Sequence, residues 1–190
     1  GDGTSIDFSA AAADGVNGFL SVDGIAFVNT SGTSSATLNA TQFGTGKIST
    51  AAAVTGTLGA VQALTVNGAA AGSVDLSAWT FTNWTSGTDT ITVNGSTGAE
   101  TFTGATQGTQ ILAGAGTDTL IVTSTAQIQA SDRYDGGDDA DTLRIGTTTG
   151  TAIDLSAASS DGVDGFVNIE RVTFVNSSGT ATATFNAAQF

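Results

Sequence analysis

The strongest constraint on the fold of this chain is an internal repeat. Residues 4–43 and 151–190 align without a gap at an offset of 147 positions, and 23 of the 40 aligned residues are identical. A weaker copy, VQALTVNGAAAGSVDLSAWTF, occupies 61–81 and matches the later part of the unit with one deletion. Single apolar residues alternate with Thr, Asp and Asn throughout, which indicates strands. A repeating, strand-rich chain in which each unit buries its apolar side against its neighbours predicts a solenoid.

A second and shorter period lies in the middle of the chain. Large apolar residues recur there every nine positions, at Val93, Phe102, Ile111 and Leu120. The units are GSTGAETFT (95–103), GATQGTQIL (104–112), AGAGTDTLI (113–121) and, out of phase, GGDDADTLR (136–144). In each unit the Gly- and Asp-rich residues are suited to a tight turn, and a three-residue strand with one inward side chain follows. Two such units predict a coil of about 18 residues.

These periods predict an all-β fold: a parallel β-helix or β-roll, that is, a β-solenoid of stacked short strands. We expect one solenoid over 1–190, with repeat copies at 4–43 and 151–190, the weaker copy at 61–81 and the nonapeptide segment at 95–144. The apolar residues of both long copies should form interior ladders. They are Ile6, Phe8, Phe19, Val22, Ile25, Phe27, Leu38, Phe43, Ile153, Leu155, Phe166, Ile169, Val172, Phe174, Phe185 and Phe190. The aromatic segment AWTFTNW (78–84) fits a packed core at an irregular coil better than an exposed sugar site.

The charge balance and the lack of Cys and His exclude several classes of function. The chain carries 17 acidic and four basic residues, a formal net charge of −13, which argues against nucleic acid and anionic membranes as partners. Without Cys or His it can form no thiol nucleophile, no histidine-based triad, no structural zinc site and no disulfide. A pair of carboxylates could hydrolyse a glycoside, but no pattern indicates a cleft, so we expect no enzyme.

The nonapeptide units resemble the RTX (haemolysin-type) calcium-binding repeats of secreted bacterial proteins, whose unit is G-G-x-G-x-D-x-U-x with U a large apolar residue. AGAGTDTLI and GGDDADTLR each match with one glycine replaced, whereas GSTGAETFT carries Glu100 in place of the Asp. The resemblance covers about 95–144. The flanking copies look like the strand-rich repeats found beside such nonapeptides in large secreted surface proteins.

The resemblance implies Ca²⁺ as the cofactor, held between turns of successive coils by carboxylates and backbone carbonyls. Gly98 and Gly116 are 18 residues apart, as are Glu100 and Asp118, so both pairs should lie on one edge of adjacent coils. Calcium takes six to eight oxygen ligands, which two carboxylates and glycine-turn carbonyls could supply.

A second candidate metal site is the acidic segment DRYDGGDDAD, residues 132–141. Its proposed ligands are Asp135, Asp138, Asp139 and Asp141, of which Asp138 and Asp141 are the strongest candidates. Carboxylates held this close repel one another, and a bound cation would keep them together. Asp118 could contribute from the adjacent coil. The alternative is a solvated acidic loop, and the repeated Asp7 and Asp154 are interpreted as outward-facing residues between two inward apolar residues rather than as ligands.

We expect a structural extracellular repeat segment of a secreted bacterial surface protein, an S-layer or surface filament, that is calcium-stabilised and self-assembling. The alternative is the ligand-binding module of a large RTX adhesin that binds a glycan, a surface or, as the weakest candidate, ice. The expected partners are further copies, in a homo-oligomer or tandem array through the solenoid ends, and a cell-surface glycan. We expect neither nucleic-acid binding nor membrane insertion. The resembled family implies type I secretion and an extracellular or cell-surface location.

Overall fold

The computed structural model describes residues 3–14, 16–159 and 164–189, and these residues form short strands joined by turns. The strands in chain order are β1 (Ser5–Asp7), β2 (Val22–Ala26), β3 (Thr33–Asn39), β4 (Ile48–Thr55), β5 (Val61–Asn67), β6 (Ser73–Asp75), β7 (Thr80–Thr82), β8 (Thr90–Ser96), β9 (Thr101–Thr103), β10 (Thr109–Gly114), β11 (Thr119–Val122), β12 (Arg133–Asp135), β13 (Thr142–Ile145), β14 (Ala152–Asp154), β15 (Gly165–Val167), β16 (Arg171–Phe174) and β17 (Thr182–Thr184). Single 3₁₀ turns lie at Ala40–Gln42, Thr125–Gln127 and Ala187–Gln189.

Every strand pairing is parallel, and strands pair with the coil before or after them. The sheets run β1-β3-β5-β8-β10-β12-β15, β6-β9-β11-β13-β16, β2-β4-β7 and β14-β17. Leu120 lies directly opposite Phe102, and Leu143 lies opposite Leu120. The predicted β-solenoid is therefore confirmed, with residues one coil apart in the sequence as neighbours along its axis.

The coils differ in length. Paired residues in the seven-stranded sheet are 30, 28, 27, 18, 23 and 32 positions apart from the first pair to the last. The 18-residue coil is the two-unit coil that the nonapeptide period predicts. The longer coils carry additional strands, such as β2, β4 and β7, which the nine-residue period does not include.

The interior is a set of stacked apolar side chains with almost no solvent contact. Leu64, Ile91, Phe102, Ile111, Leu120, Tyr134 and Leu143 are each at most 1% exposed. Trp79 and Trp84 are also buried, and their rings meet Phe43 and Phe27 edge-on at centroid distances of 5.2 and 5.8 Å. This packing agrees with the core interpretation of the aromatic segment.

Three predicted interior residues are exposed instead. Ile6 is 47% exposed, Val172 is 43% exposed and Phe174 is 50% exposed. They lie in the first and last coils, which have a neighbouring coil on one side only, so the apolar ladder is uncovered there. Phe190 lies outside the described residues.

The repeat reproduces its hydrogen bonds as well as its strands. Gln42 Nε2 donates to the carbonyls of Phe8 and Ala11, and its Oε1 accepts from Asn39 N at 2.7 Å. The equivalent Gln189 makes the three corresponding bonds, to Leu155 O, Ala158 O and Asn186 N. A side-chain amide thus satisfies backbone groups of the preceding coil, as buried backbone groups require.

The aspartates shared by the copies close turns. Asp7, Asp75 and Asp154 each accept a hydrogen bond from the backbone N–H two residues later, at 2.8 to 2.9 Å. All three side chains are exposed. The exposed side chains agree with the outward interpretation, whereas the Asx turn geometry was not predicted from the sequence.

Candidate metal site

Four acidic residues form a column along one corner of the solenoid, which we call the acidic ladder: Glu100, Asp118, Asp141 and Glu170. Each lies immediately before a strand of the five-stranded sheet. Asp118 Oδ1 accepts from Glu100 N at 2.7 Å, and Asp141 Oδ1 accepts from Asp118 N at 2.7 Å. Glu170 Oε2 accepts from Asp141 N at 2.8 Å. The carboxylates of Asp118, Asp141 and Glu170 therefore each satisfy a backbone donor of the preceding coil.

The middle of the ladder is buried and incompletely hydrogen-bonded. Asp118 and Asp141 are 0% exposed, and the Oδ2 atom of each has no hydrogen-bond partner. Burial, with smaller contributions from Glu100 and Asp141, raises the pKa of Asp118 to about 6. Burial also raises the pKa of Asp141, with Glu170, Asp139 and Asp135 adding to the shift. A buried carboxylate oxygen without a partner is costly, and a cation or a proton would remove that cost.

Glu100, by contrast, has both carboxylate oxygens engaged. Its Oε2 accepts from Ser96 N at 3.1 Å, and its Oε1 accepts from the Ser96 hydroxyl. Of the predicted ligands, Asp118 and Asp141 are therefore the two with a buried carboxylate oxygen that lacks a hydrogen-bond partner.

The glycines of the adjoining turns are required by backbone contact. Gly116 has a φ of +116°, and a Cβ there would collide with the carbonyl oxygen of Gly98. Gly136 has Asp141 Oδ2 against the position where its Cβ would be. Gly98 and Gly116 are thus neighbours on one edge, the arrangement that the resemblance implies, and packing alone is sufficient to require a glycine at Gly116.

The acidic segment 132–141 does not gather its carboxylates. Asp135 pairs with Arg133 at 2.7 Å and accepts from Asn168 Nδ2 at 2.8 Å. Asp139 Oδ2 accepts from Gly116 N at 3.2 Å, and Asp138 is exposed. No group of three or more acidic side chains within residues 3–14, 16–159 and 164–189 could by itself hold a metal ion.

The segment separates because it crosses from one corner of the solenoid to another. Asp132 lies before β12 of the seven-stranded sheet, whereas Asp141 lies before β13 of the five-stranded sheet. Asp132 accepts from Thr109 N and Gln129 N, both at 2.6 Å. Asp89, which lies before β8 two coils earlier, has the same role and accepts from Gln62 N and Thr85 N. These two acids therefore have both oxygens satisfied and serve the fold.

Neither Glu170 nor the backbone hydrogen bonds made by the acids that precede the strands were predicted from the sequence. A signal was present, because an acid stands two residues before an inward apolar residue in ETF, DTL, DTL and ERV (100–102, 118–120, 141–143 and 170–172). That pattern can be recognised once the coil register is known.

We predict that, in a chelator, the free energy of unfolding falls as pH rises from about 4 to about 7. The pKa of Asp118 is raised to about 6 and that of Asp132 to about 7, in both cases chiefly by burial, against an ordinary value of 3.8. In this window the unfolded chain has released protons that the folded chain still binds, so rising pH favours unfolding. Thermal melts at successive pH values test this. Asp118→Asn should flatten the profile, and a stability that rises with pH would contradict the prediction.

The fold and the acidic residues define a parallel β-solenoid with an axial acidic ladder that is buried at Glu100, Asp118 and Asp141. Comparisons with protein-family models, with curated proteins and with solved structures found no match. No helix in the described part of the chain is long and apolar enough to cross a membrane.

Proposed function

We propose that this chain is a calcium-stabilised structural repeat segment of a secreted bacterial surface protein, an S-layer or surface filament. The observation that carries the proposal is the pair of buried, unpartnered carboxylate oxygens of Asp118 and Asp141 in a chain of net charge −13. The repeating solenoid supports a structural role, because such a fold extends by adding coils. The RTX resemblance of 95–144 supports export and calcium.

The donor set suits a hard cation. Asp118 Oδ2 and Asp141 Oδ2 belong to adjacent coils, which are about 4.8 Å apart in a parallel stack. Calcium binds oxygens at about 2.3–2.6 Å, so an ion between adjacent coils could use both carboxylates together with carbonyls of turns such as that at Gly98. The bound ion would neutralise the ladder. Extracellular calcium would then stabilise coils that stay looser in the low calcium of a cytoplasm.

We expect calcium to raise the melting temperature of the chain, and Asp118→Asn or Asp141→Asn to abolish most of that increase. Binding at 100 times the dissociation constant stabilises a folded protein by about 2.7 kcal/mol. Both variants should also melt higher than the wild type in chelator, because the amide removes a buried charge and retains the Oδ1 acceptor. Circular dichroism melts with calcium, magnesium and chelator measure both effects.

Asp23→Asn is the matched control, because Asp23 is exposed on β2, outside the acidic ladder. It should keep the full calcium response. A wild-type melt that is the same in calcium and in chelator would refute the calcium mechanism and leave the solenoid intact.

An adhesin module is the second candidate, and a specific surface favours it. On the outer side of the seven-stranded sheet, three successive coils place Thr over Thr and Asn over Asn. The columns are Thr37, Thr65 and Thr92, and Asn39, Asn67 and Asn94. Asn94 Nδ2 donates to Asn67 Oδ1 at 3.1 Å, so two neighbouring side chains of this face are hydrogen-bonded to each other. Electron microscopy with calcium separates the candidates: ordered arrays support the lattice, whereas a monomer that binds a glycan array supports the adhesin.

A further inference from the structure

The two ends of the solenoid expose apolar residues whose repeat equivalents are buried elsewhere in the same molecule. Ile6 in β1 is 47% exposed, whereas its equivalent Ile153 in β14 is 1% exposed. Phe8 is half-buried, and its equivalent Leu155 is 0% exposed. Among the described residues, a preceding coil therefore covers the second copy but not the first.

At the other end, a residue of the second copy is exposed while its equivalent in the first copy is buried. Phe174 in β16 is 50% exposed, whereas its equivalent Phe27 is 8% exposed. The following coil covers Phe27: its ring meets Trp84 at 5.8 Å, and its N–H donates to Thr55 O at 2.9 Å. Among the described residues, a following coil therefore covers the first copy but not the second.

Each end also has an apolar hollow. A cavity of about 310 Å³ lies beside Ile6, Phe8 and Val28, and one of about 170 Å³ lies beside Val172 and Phe185. The coils at the two ends have similar perimeters, since the pairings β1–β3 and β14–β17 both span 30 residues. Open strand edges at both ends run in the same direction along a parallel stack and can extend the sheets.

We propose that the end carrying Val172, Phe174 and Phe185 docks onto the end carrying Ile6, Phe8 and Val28 of a second copy of this chain, head to tail. The proposal deepens the self-assembly in the proposed function and rests on it, but it requires no calcium. The contact joins two different surfaces and does not close on itself, so repetition yields filaments rather than a fixed dimer. A coil of this fold is the occupant because coils of this fold already cover the equivalent residues.

Two single variants test the contact, each disabling one end. Ile6→Asp places a charge on the first end and Phe174→Asp on the last, and each should weaken self-association by about tenfold or more. Thr106→Asp is the matched control: Thr106 is exposed in the turn between β9 and β10, in a middle coil of the stack, and should associate like the wild type. Sedimentation velocity over a concentration series measures association. Circular dichroism verifies folding, and Val28→Lys and Val172→Lys replace any variant that fails to fold.

Mixing the two variants gives the sharpest result. Ile6→Asp keeps an intact last end and Phe174→Asp keeps an intact first end, so an equimolar mixture should form dimers while each variant alone stays monomeric. A dimer of either variant alone would show a like-to-like contact and overturn the proposal. A wild type that stays monomeric at every concentration would also overturn it and assign the ends to another occupant. Running the series in chelator and in calcium separates this outcome from failure of the calcium mechanism.

Discussion

Replacing Phe102 by Ala should lower the free energy of unfolding by about 3–5 kcal/mol, the usual cost of removing a buried Phe side chain. Phe102 is 0% exposed and lies between Val74 and Leu120 of the adjacent coils. Because each coil of a solenoid contacts mainly its neighbours, the cavity cannot be filled by rearrangement at a distance. Chemical denaturation followed by circular dichroism measures the change.

The matched control is Phe174→Ala at the open end, where the side chain is 50% exposed and partly solvated already. We expect it to cost less than about 1 kcal/mol in a dilute, unassociated sample. Equal losses for the two variants would contradict the stacked interior, since burial would then have no bearing on the cost.

Gln42→Ala should destabilise the chain by about 2–4 kcal/mol, well above the effect of Gln189→Ala. Gln42 is 1% exposed, so its removal leaves the carbonyls of Phe8 and Ala11 without their side-chain partner in a poorly solvated corner. An unpaired buried polar group costs about 1–3 kcal/mol. Gln189 makes the same bonds at the open end, where water can replace it.

The pair is informative because the three hydrogen bonds of the amide correspond and the sequence context is similar, whereas burial differs. Parallel denaturation curves of the two variants and the wild type measure the difference. If Gln189→Ala is as damaging as Gln42→Ala, the amide contributes through its bonds alone and the burial argument is wrong.

The stacking order could be predicted from the sequence wherever the spacing was regular. The offset of 18 between Phe102 and Leu120 follows from two nonapeptides, and the structure places the two residues opposite each other. The offset of 23 from Leu120 to Leu143 is accommodated by a longer coil, whose added residues include the 3₁₀ turn Thr125–Gln127. An apolar ladder tolerates such insertions because each coil has only to bring its inward residue back to the same column.

The hydrogen-bond partners of the acidic ladder were harder to predict, because they depend on which coils become neighbours. Asp118 was expected as a contributor from the adjacent coil and does bond to Asp141, 23 residues after it, whereas the bond from Asp141 N to Glu170, 29 residues further on, was not predicted. Proximity in sequence suggested a cluster with Asp138, which is exposed instead. In a stacked fold, coil register decides which charges meet, and register was not available from composition.

Because the coils differ in length, equivalent strands of the two repeat copies lie in different sheets. β1 and β14 are the same part of the repeat, yet β1 belongs to the seven-stranded sheet and β14 to the two-stranded one. Likewise β2 lies in the three-stranded sheet, whereas the corresponding β16 lies in the five-stranded sheet. One period of 147 residues therefore does not complete a whole number of windings. Each copy added at this period would be rotated about the long axis relative to the copy before it. In a fibre built this way, a given side chain would appear on a different side of the fibre in each successive copy.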